Sequence, residues 1–418
     1  MAPIRLGVVG CARILPAHLR GMAAAQAVGL DPFRITALCA RRVADALAFR
    51  SPADGVPPRP PASANENDPL GAPHRYVSDL QTAVPAVFDD WHAMLDADLV
   101  DAVLILAPVS LHHQIAVAAL DAGKHVLIEK PLAITVRAGR AIAAAAGRRG
   151  LVAGVAENVR YASRTRAQWQ AIDAGLIGRP QLWLSGGIGG EWAPDRVVAD
   201  TPWRHRKLDA GGGPAIDHGV HLMHQLRYLM GPVRQVGALT AMLEPYRVGR
   251  SGRVANEVED IYSAQLLFES GAIGTVFSGW AGRGAGTSLD ASPSIYGSSG
   301  CIKADRLIPD GGAPVQVESV LGESGPGDSA AFFPHGIRDS FALELLDFAT
   351  AISTGNPMET SADEAVLDLA MAYSILESAW AGAPVQVDDV LSGAVAGYQA
   401  EIDRSYGLQV PNPRVLDP

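Results

Sequence analysis

The 418-residue chain has only three cysteines, Cys11, Cys39 and Cys301. An odd number spread so widely excludes a disulfide framework and the paired-cysteine spacing of a zinc site. It predicts a reducing, cytoplasmic compartment. Basic charge is also in deficit: 34 Lys and Arg stand against 44 Asp and Glu, for a net charge of -10 and a pI of about 5.5. The electrostatic footprint of a nucleic-acid binder is therefore missing, and the negative charge serves solubility. No apolar run is long enough to cross a bilayer, and no basic segment or twin arginine precedes the first strand-like run, so no membrane role is expected. There is no internal repeat.

What is present fits a soluble globular enzyme: 48% hydrophobic and 19% charged residues. The length exceeds what one core usually serves, so two domains are expected, at 1–156 and 157–418. The first alternates strand and helix patterns, with strands at Ile4 to Val9, Phe33 to Ala40, Ala102 to Ala107, His125 to Ile128 and Leu151 to Val155. That alternation predicts right-handed βαβ units and a doubly wound parallel sheet. Residues 51–85, rich in Pro, Ala, Asn and Asp, break the pattern and read as an insertion: a lid, an oligomer contact or a passive surface loop, the last two favoured. From about Val233 to Arg306 come several strands without intervening helices, then helices near Asp339 to Thr354 and Ala362 to Ala381. This predicts an α+β domain on a large open, mainly antiparallel sheet, with a Gly/Pro/Ser-rich loop from Ile308 to Gly327.

The turn from Gly10 through Ala12, Arg13 and Ile14 joins the first strand to the first helix, where backbone N–H groups can meet a pyrophosphate. Ala12 and Leu15 occupy the second and third positions of a Gly-x-Gly-x-x-Gly pattern, which narrows the approach to phosphate. At the end of the second strand, where a dinucleotide enzyme reads the ribose, stand Ala40, Arg41 and Arg42. With no carboxylate before Asp45, NADP is favoured over NAD.

His125-Val-Leu-Ile-Glu-Lys-Pro-Leu132 ends a buried strand in Glu129 and Lys130. In an open parallel sheet ligands bind beyond the carboxyl ends of strands, which aims Lys130 at the crevice. The richest polar cluster runs from Trp203-Arg204 through Gly211-Gly-Gly213 to Asp217, His218, His221 and His224. The glycines allow a tight turn into a helix carrying Asp217 and His221, four residues apart on one face. A carboxylate and an imidazole together suit proton transfer from a hydroxyl near neutral pH. A metal is not expected, because steps of three rotate successive rings by about 60° and spread the histidines apart.

The Gly10 turn, Ala107-Pro-Val-Ser-Leu-His112, Glu129-Lys130-Pro131, Trp203-Arg204 and Gly211-Gly-Gly-x-x-x-Asp217-x-Gly-x-His221 together resemble the Gfo/Idh/MocA oxidoreductases over nearly the whole chain. The resemblance implies an N-terminal Rossmann domain, a C-terminal α+β domain whose sheet forms a homodimer or homotetramer, and NAD(P) as cofactor. It implies hydride transfer between the nicotinamide and a secondary alcohol of a carbohydrate or cyclitol. Lys130 matches the family's catalytic lysine, with Glu129 helping to place it. His221 would take the hydroxyl proton and Asp217 orient the substrate or the imidazole. Ala107, Pro108 and His112 match positions near the nicotinamide, and Arg160, Trp203 and Arg204 would line the substrate. The chain departs from the family pattern at Ala12, Leu15, Val109, His224 and the insertion. Two other activities occur among such relatives: glycoside cleavage with recycled NAD, and non-catalytic dinucleotide sensing.

Overall fold

A computed structural model describes residues 3–65, 68–189, 198, 200–249, 252–282, 293–321 and 329–408. They form two compact units. The first is built on six strands, β1 (Ile4–Val9), β2 (Phe33–Cys39), β3 (Ala86–Phe88), β4 (Ala102–Ile105), β5 (His125–Glu129) and β6 (Ala153–Ala156). All pair in parallel, in the order β3-β2-β1-β4-β5-β6. Every residue of β4 is buried, as a strand covered on both faces requires. This is the doubly wound dinucleotide-binding sheet expected from the strand-helix alternation, and its strand order reverses between β1 and β4.

The units are not the two consecutive segments expected. The first unit runs to Tyr161 and takes back residues 333–365, while residues 134–138 belong to the second. Helix Ser340–Thr354 is apolar along one side and buries that side in the first unit: Phe348 stacks on Phe33, with centroids 6.2 Å apart, and Arg20 pairs with Asp339 at 2.9 Å. The short return is held by Thr135, which donates to Asp403 at 2.6 Å. A periodic pattern identifies such a helix without saying which core receives its apolar face.

The insertion is folded onto the first unit. Ser51 caps a short 3-10 turn, Val77 is buried, and His74 packs between Phe49 and Tyr76. Gln81 supplies what a neighbouring strand would: its Oε1 accepts from Ile35 N at 2.9 Å and its Nε2 donates to Ile35 O at 2.8 Å.

The second unit carries β7 (Pro180–Ile188), β8 (Val233–Ala241), the two-stranded ribbon β9 (Tyr246–Gly249) and β10 (Gly252–Ala255), β11 (Ile261–Phe268), β12 (Ile273–Gly279), β13 (Ser294–Gly297), β14 (Gly300–Lys303), β15 (Arg306–Pro309), β16 (Val315–Gln316) and β17 (Val385–Gln386). Nine of these form one sheet, β16-β15-β14-β13-β7-β12-β11-β8-β17, antiparallel except where β7 meets β12. The segment expected as loop holds β16 and a 3-10 turn at Val317–Leu321; residues 322–327 lie outside the described residues. Strand β7 escapes the sequence pattern because its tail, Ser-Gly-Gly-Ile, weakens alternation. Its Trp183 is nevertheless fully buried, donating to Ser185 Oγ at 2.8 Å.

Candidate active site

In the first unit the expected nucleotide-site residues gather at the carboxyl ends of the strands. Gly10 follows β1 with φ +103°, and a Cβ there would lie 2.5 Å from the Leu106 backbone. Only glycine fits this approach across the switch point. Ala12, Arg13 and Ile14 complete the turn into helix Leu15–Gln26, whose first turn has no side-chain cap. Its N–H groups are thus available to an anion. Arg41 and Arg42 are exposed beyond β2. Arg42 is paired with Asp45 at 3.0 Å, and Asp45 also binds Arg59, a residue of the insertion that sequence reasoning missed.

Beyond β4, Ala107 and Pro108 lead into helix Val109–Asp121, which buries His112 in its first turn. His112, expected near the nicotinamide, has both ring nitrogens on backbone carbonyls: Nδ1 lies 2.9 Å from Pro131 O and Nε2 2.8 Å from Ala107 O. Burial pushes its pKa down, although both carbonyls favour the charged ring. It clamps the loop after β4 to the loop after β5.

Glu129 ends β5, and Lys130 follows, joined to Pro131 by a cis peptide bond. Glu129 lies behind the lysine: Oε1 is 3.0 Å from Nε2 of buried His18, and Oε2 accepts the Lys130 backbone N–H at 3.1 Å. Glu129, expected to help place Lys130, holds its backbone N–H. Arg160, in the turn after β6, binds Glu359 at 2.8 Å.

In the second unit, Trp203 and Arg204 share a short turn, with the Arg204 guanidinium 4.3 Å from the centroid of the Trp203 ring. Arg204 Nε donates to Asp217 Oδ2 at 3.1 Å, joining two expected site residues. Asp217 and His221 do not share one continuous helix. Asp217 closes a four-residue turn, Pro214–Asp217, and helix Gly219–Met230 starts after His218. The reason is the glycine turn, which buried Glu259 grips by accepting from Gly213 N at 2.9 Å and Ala215 N at 3.0 Å. A Cβ on Gly213 would lie 1.9 Å from Glu259 O. The other two histidines point elsewhere: His218 packs edge-on against Trp280, and buried His224 sits 2.7 Å from Asp368.

A sequence model of the oxidoreductase family with an NAD-binding Rossmann fold matches residues 4–157, and one of the GFO/IDH/MocA C-terminal domain matches residues 165–303. The chain belongs to the Gfo/Idh/MocA oxidoreductases. Myo-inositol 2-dehydrogenase of Thermotoga maritima is 25% identical over 313 residues, covering 74% of this chain and 86% of that protein. Levoglucosan dehydrogenase of Pseudarthrobacter phenanthrenivorans is 30% identical over 243 residues, covering 54% and 60%. A solved levoglucosan dehydrogenase in complex with NADH shares the fold, with a TM-score of 0.71 over 92% of this chain and 99% of that one at 23% identity. As a Gfo/Idh/MocA protein this chain is an oxidoreductase using a nicotinamide dinucleotide. The first unit fits that cofactor, with a Gly10 backbone that no Cβ can obstruct, an uncapped helix start and a cationic corner after β2. When bound, the nicotinamide supplies or receives the hydride.

Proposed function

We propose that this protein is an NAD(P)-dependent dehydrogenase or reductase acting on a secondary hydroxyl of a carbohydrate or cyclitol. The observation that carries the reading is the end of β5: a lysine follows directly at the carboxyl edge of the sheet, its backbone N–H held by Glu129, which His18 braces. Lys130 hydrogen-bonds the reacting oxygen and stabilises negative charge as the alcohol is oxidised. A ring nitrogen of His221 takes the hydroxyl proton, and Asp217, braced by Arg204, orients the substrate. Relatives named for inositol and anhydrosugar substrates support the substrate class. The arginines after β2 support NADP over NAD. The sheet of the second unit is the surface through which two or four copies associate. Three free thiols accord with the cytoplasm.

Sugars and cyclitols screened against both nucleotides, following reduced-nicotinamide absorbance, identify the substrate. Stoichiometric absorbance change supports a dehydrogenase; product release without it supports oxidation, elimination and cofactor recycling. With the substrate found, Lys130→Ala and His221→Ala should each lower kcat by at least about 10²-fold while nucleotide binding persists. Unchanged turnover removes that residue from the mechanism.

A further inference from the structure

The first carboxylate after β2 is Asp45, in the first turn of helix Val43–Arg50. Three guanidinium N–H groups meet its two oxygens: Arg42 donates through Nε to Oδ2 and through Nη2 to Oδ1, each at 3.0 Å, and Arg59 Nη2 donates to the same Oδ1. An enzyme that reads a ribose 2'-hydroxyl with such an acid needs a carboxylate oxygen turned toward that hydroxyl. Here Oδ1 accepts from two guanidiniums and Oδ2 from one, so Asp45 is engaged with cations instead.

Arg59 reaches Asp45 because the start of the insertion folds back on helix Val43–Arg50. Arg50 Nε donates to Asp54 at 2.8 Å, and Gly55 turns the chain with φ +69°. Val56 then packs against the core of the first unit, and the Arg59 backbone N–H donates to His74 Nδ1 at 3.4 Å. His74 lies against Phe49, a buried residue of the same helix, with ring centroids 4.8 Å apart. The Arg59 side chain is accordingly 33% exposed, against 71% for Arg42. An arginine that swings freely in water loses rotamer entropy when it grips an anion; one already held by a carboxylate loses less. Within this network two cations outnumber one anion, which leaves positive charge for a phosphate.

We propose that Asp45 is a positioning residue for the 2'-phosphate of the nucleotide, holding Arg42 and Arg59 as a pair, and that the insertion takes part in cofactor selection by supplying Arg59. The inference rests on the NADP reading of the corner after β2. Titration calorimetry of the full chain with NADP and with NAD tests it without a substrate. If charge alone acted, removing a carboxylate from a phosphate site would tighten NADP binding. Asp45→Asn should instead weaken NADP about threefold or more and leave NAD within about twofold, because the two arginines lose their common anchor. In an Arg59→Ala background, where only Arg42 remains to be held, Asp45→Asn should weaken NADP by a smaller factor.

Tighter NADP binding in Asp45→Asn overturns the proposal. So does a loss of NAD as large as that of NADP, which would make Asp45 a reader of the ribose hydroxyl or a prop of the fold alone. An equal factor in both backgrounds removes Arg59, and with it the insertion, from cofactor selection. The double variant Arg41→Ala, Arg42→Ala separates this inference from the reading beneath it: equal losses of both nucleotides there reject the NADP reading, whereas a selective loss of NADP beside a tighter-binding Asp45→Asn rejects only the role of Asp45.

Discussion

Glu259 holds the turn that sets Asp217, and the price of that hold is a desolvated carboxyl. Burial raises its pKa to about 7, against the pull of the backbone N–H groups of Gly213 and Ala215. Folding therefore takes up a proton between the ordinary glutamate range and pH 7, so stability falls as pH rises through that window and levels off above it. The Glu259 share of the decline is roughly 3 kcal/mol. Glu259→Gln keeps an acceptor for both amides and should flatten that part of the slope, read as urea midpoints from pH 5 to 8. An unchanged slope would show that Glu259 titrates normally. The residue was not legible as a partner of the glycine turn, because the two are more than forty positions apart and only β11 pairing returns them to one place. Lys130 was legible, since an ionisable residue ending a buried run stands out. His18, which supports it, was not, because a lone histidine on a helix carries no pattern.

At the scale of elements, the strands and helices of the sheet follow hydrophobic periodicity closely, and helix Ala362–Ala381 has the bounds the pattern predicts. The insertion has no such period, and its order comes from side chains acting as backbone. Gln81 completes the hydrogen bonding of Ile35, and Arg59 reaches the Arg42–Asp45 pair. Arg59 therefore adds a third guanidinium to the corner after β2, where a 2'-phosphate would lie. Replacing Arg41 and Arg42 by alanine should weaken NADP at least about tenfold more than NAD, and Arg59→Ala should shift selectivity the same way. Titration calorimetry with both nucleotides measures this. Equal losses would reject the NADP preference.

At the scale of the whole molecule, one face of the nine-stranded sheet carries exposed apolar side chains among the described residues, interspersed with polar ones such as Gln265 and Thr275. Register places Leu267 beside Ile273, Ile273 beside Leu182, and Leu182 beside Tyr296, and paired residues share a face. On that same face Leu239 is 79% exposed and Ile273 52% exposed. A face of this kind fits a second copy of the chain. If copies associate through this face, Leu239→Asp combined with Ile273→Asp should give a monomer in sedimentation velocity where the wild type gives a larger species; a monomeric wild type would reject the reading. The sequence by itself determined the parallel sheet, the open second sheet and the strand-end lysine, because periodicity and local turn chemistry are written along the chain. Tertiary structure decided that residues 333–365 return to the first unit, that Glu259 pins the glycine turn and that His18 lies against Glu129. These depend on which buried surfaces meet, and burial is settled by contacts between distant segments that no local pattern encodes.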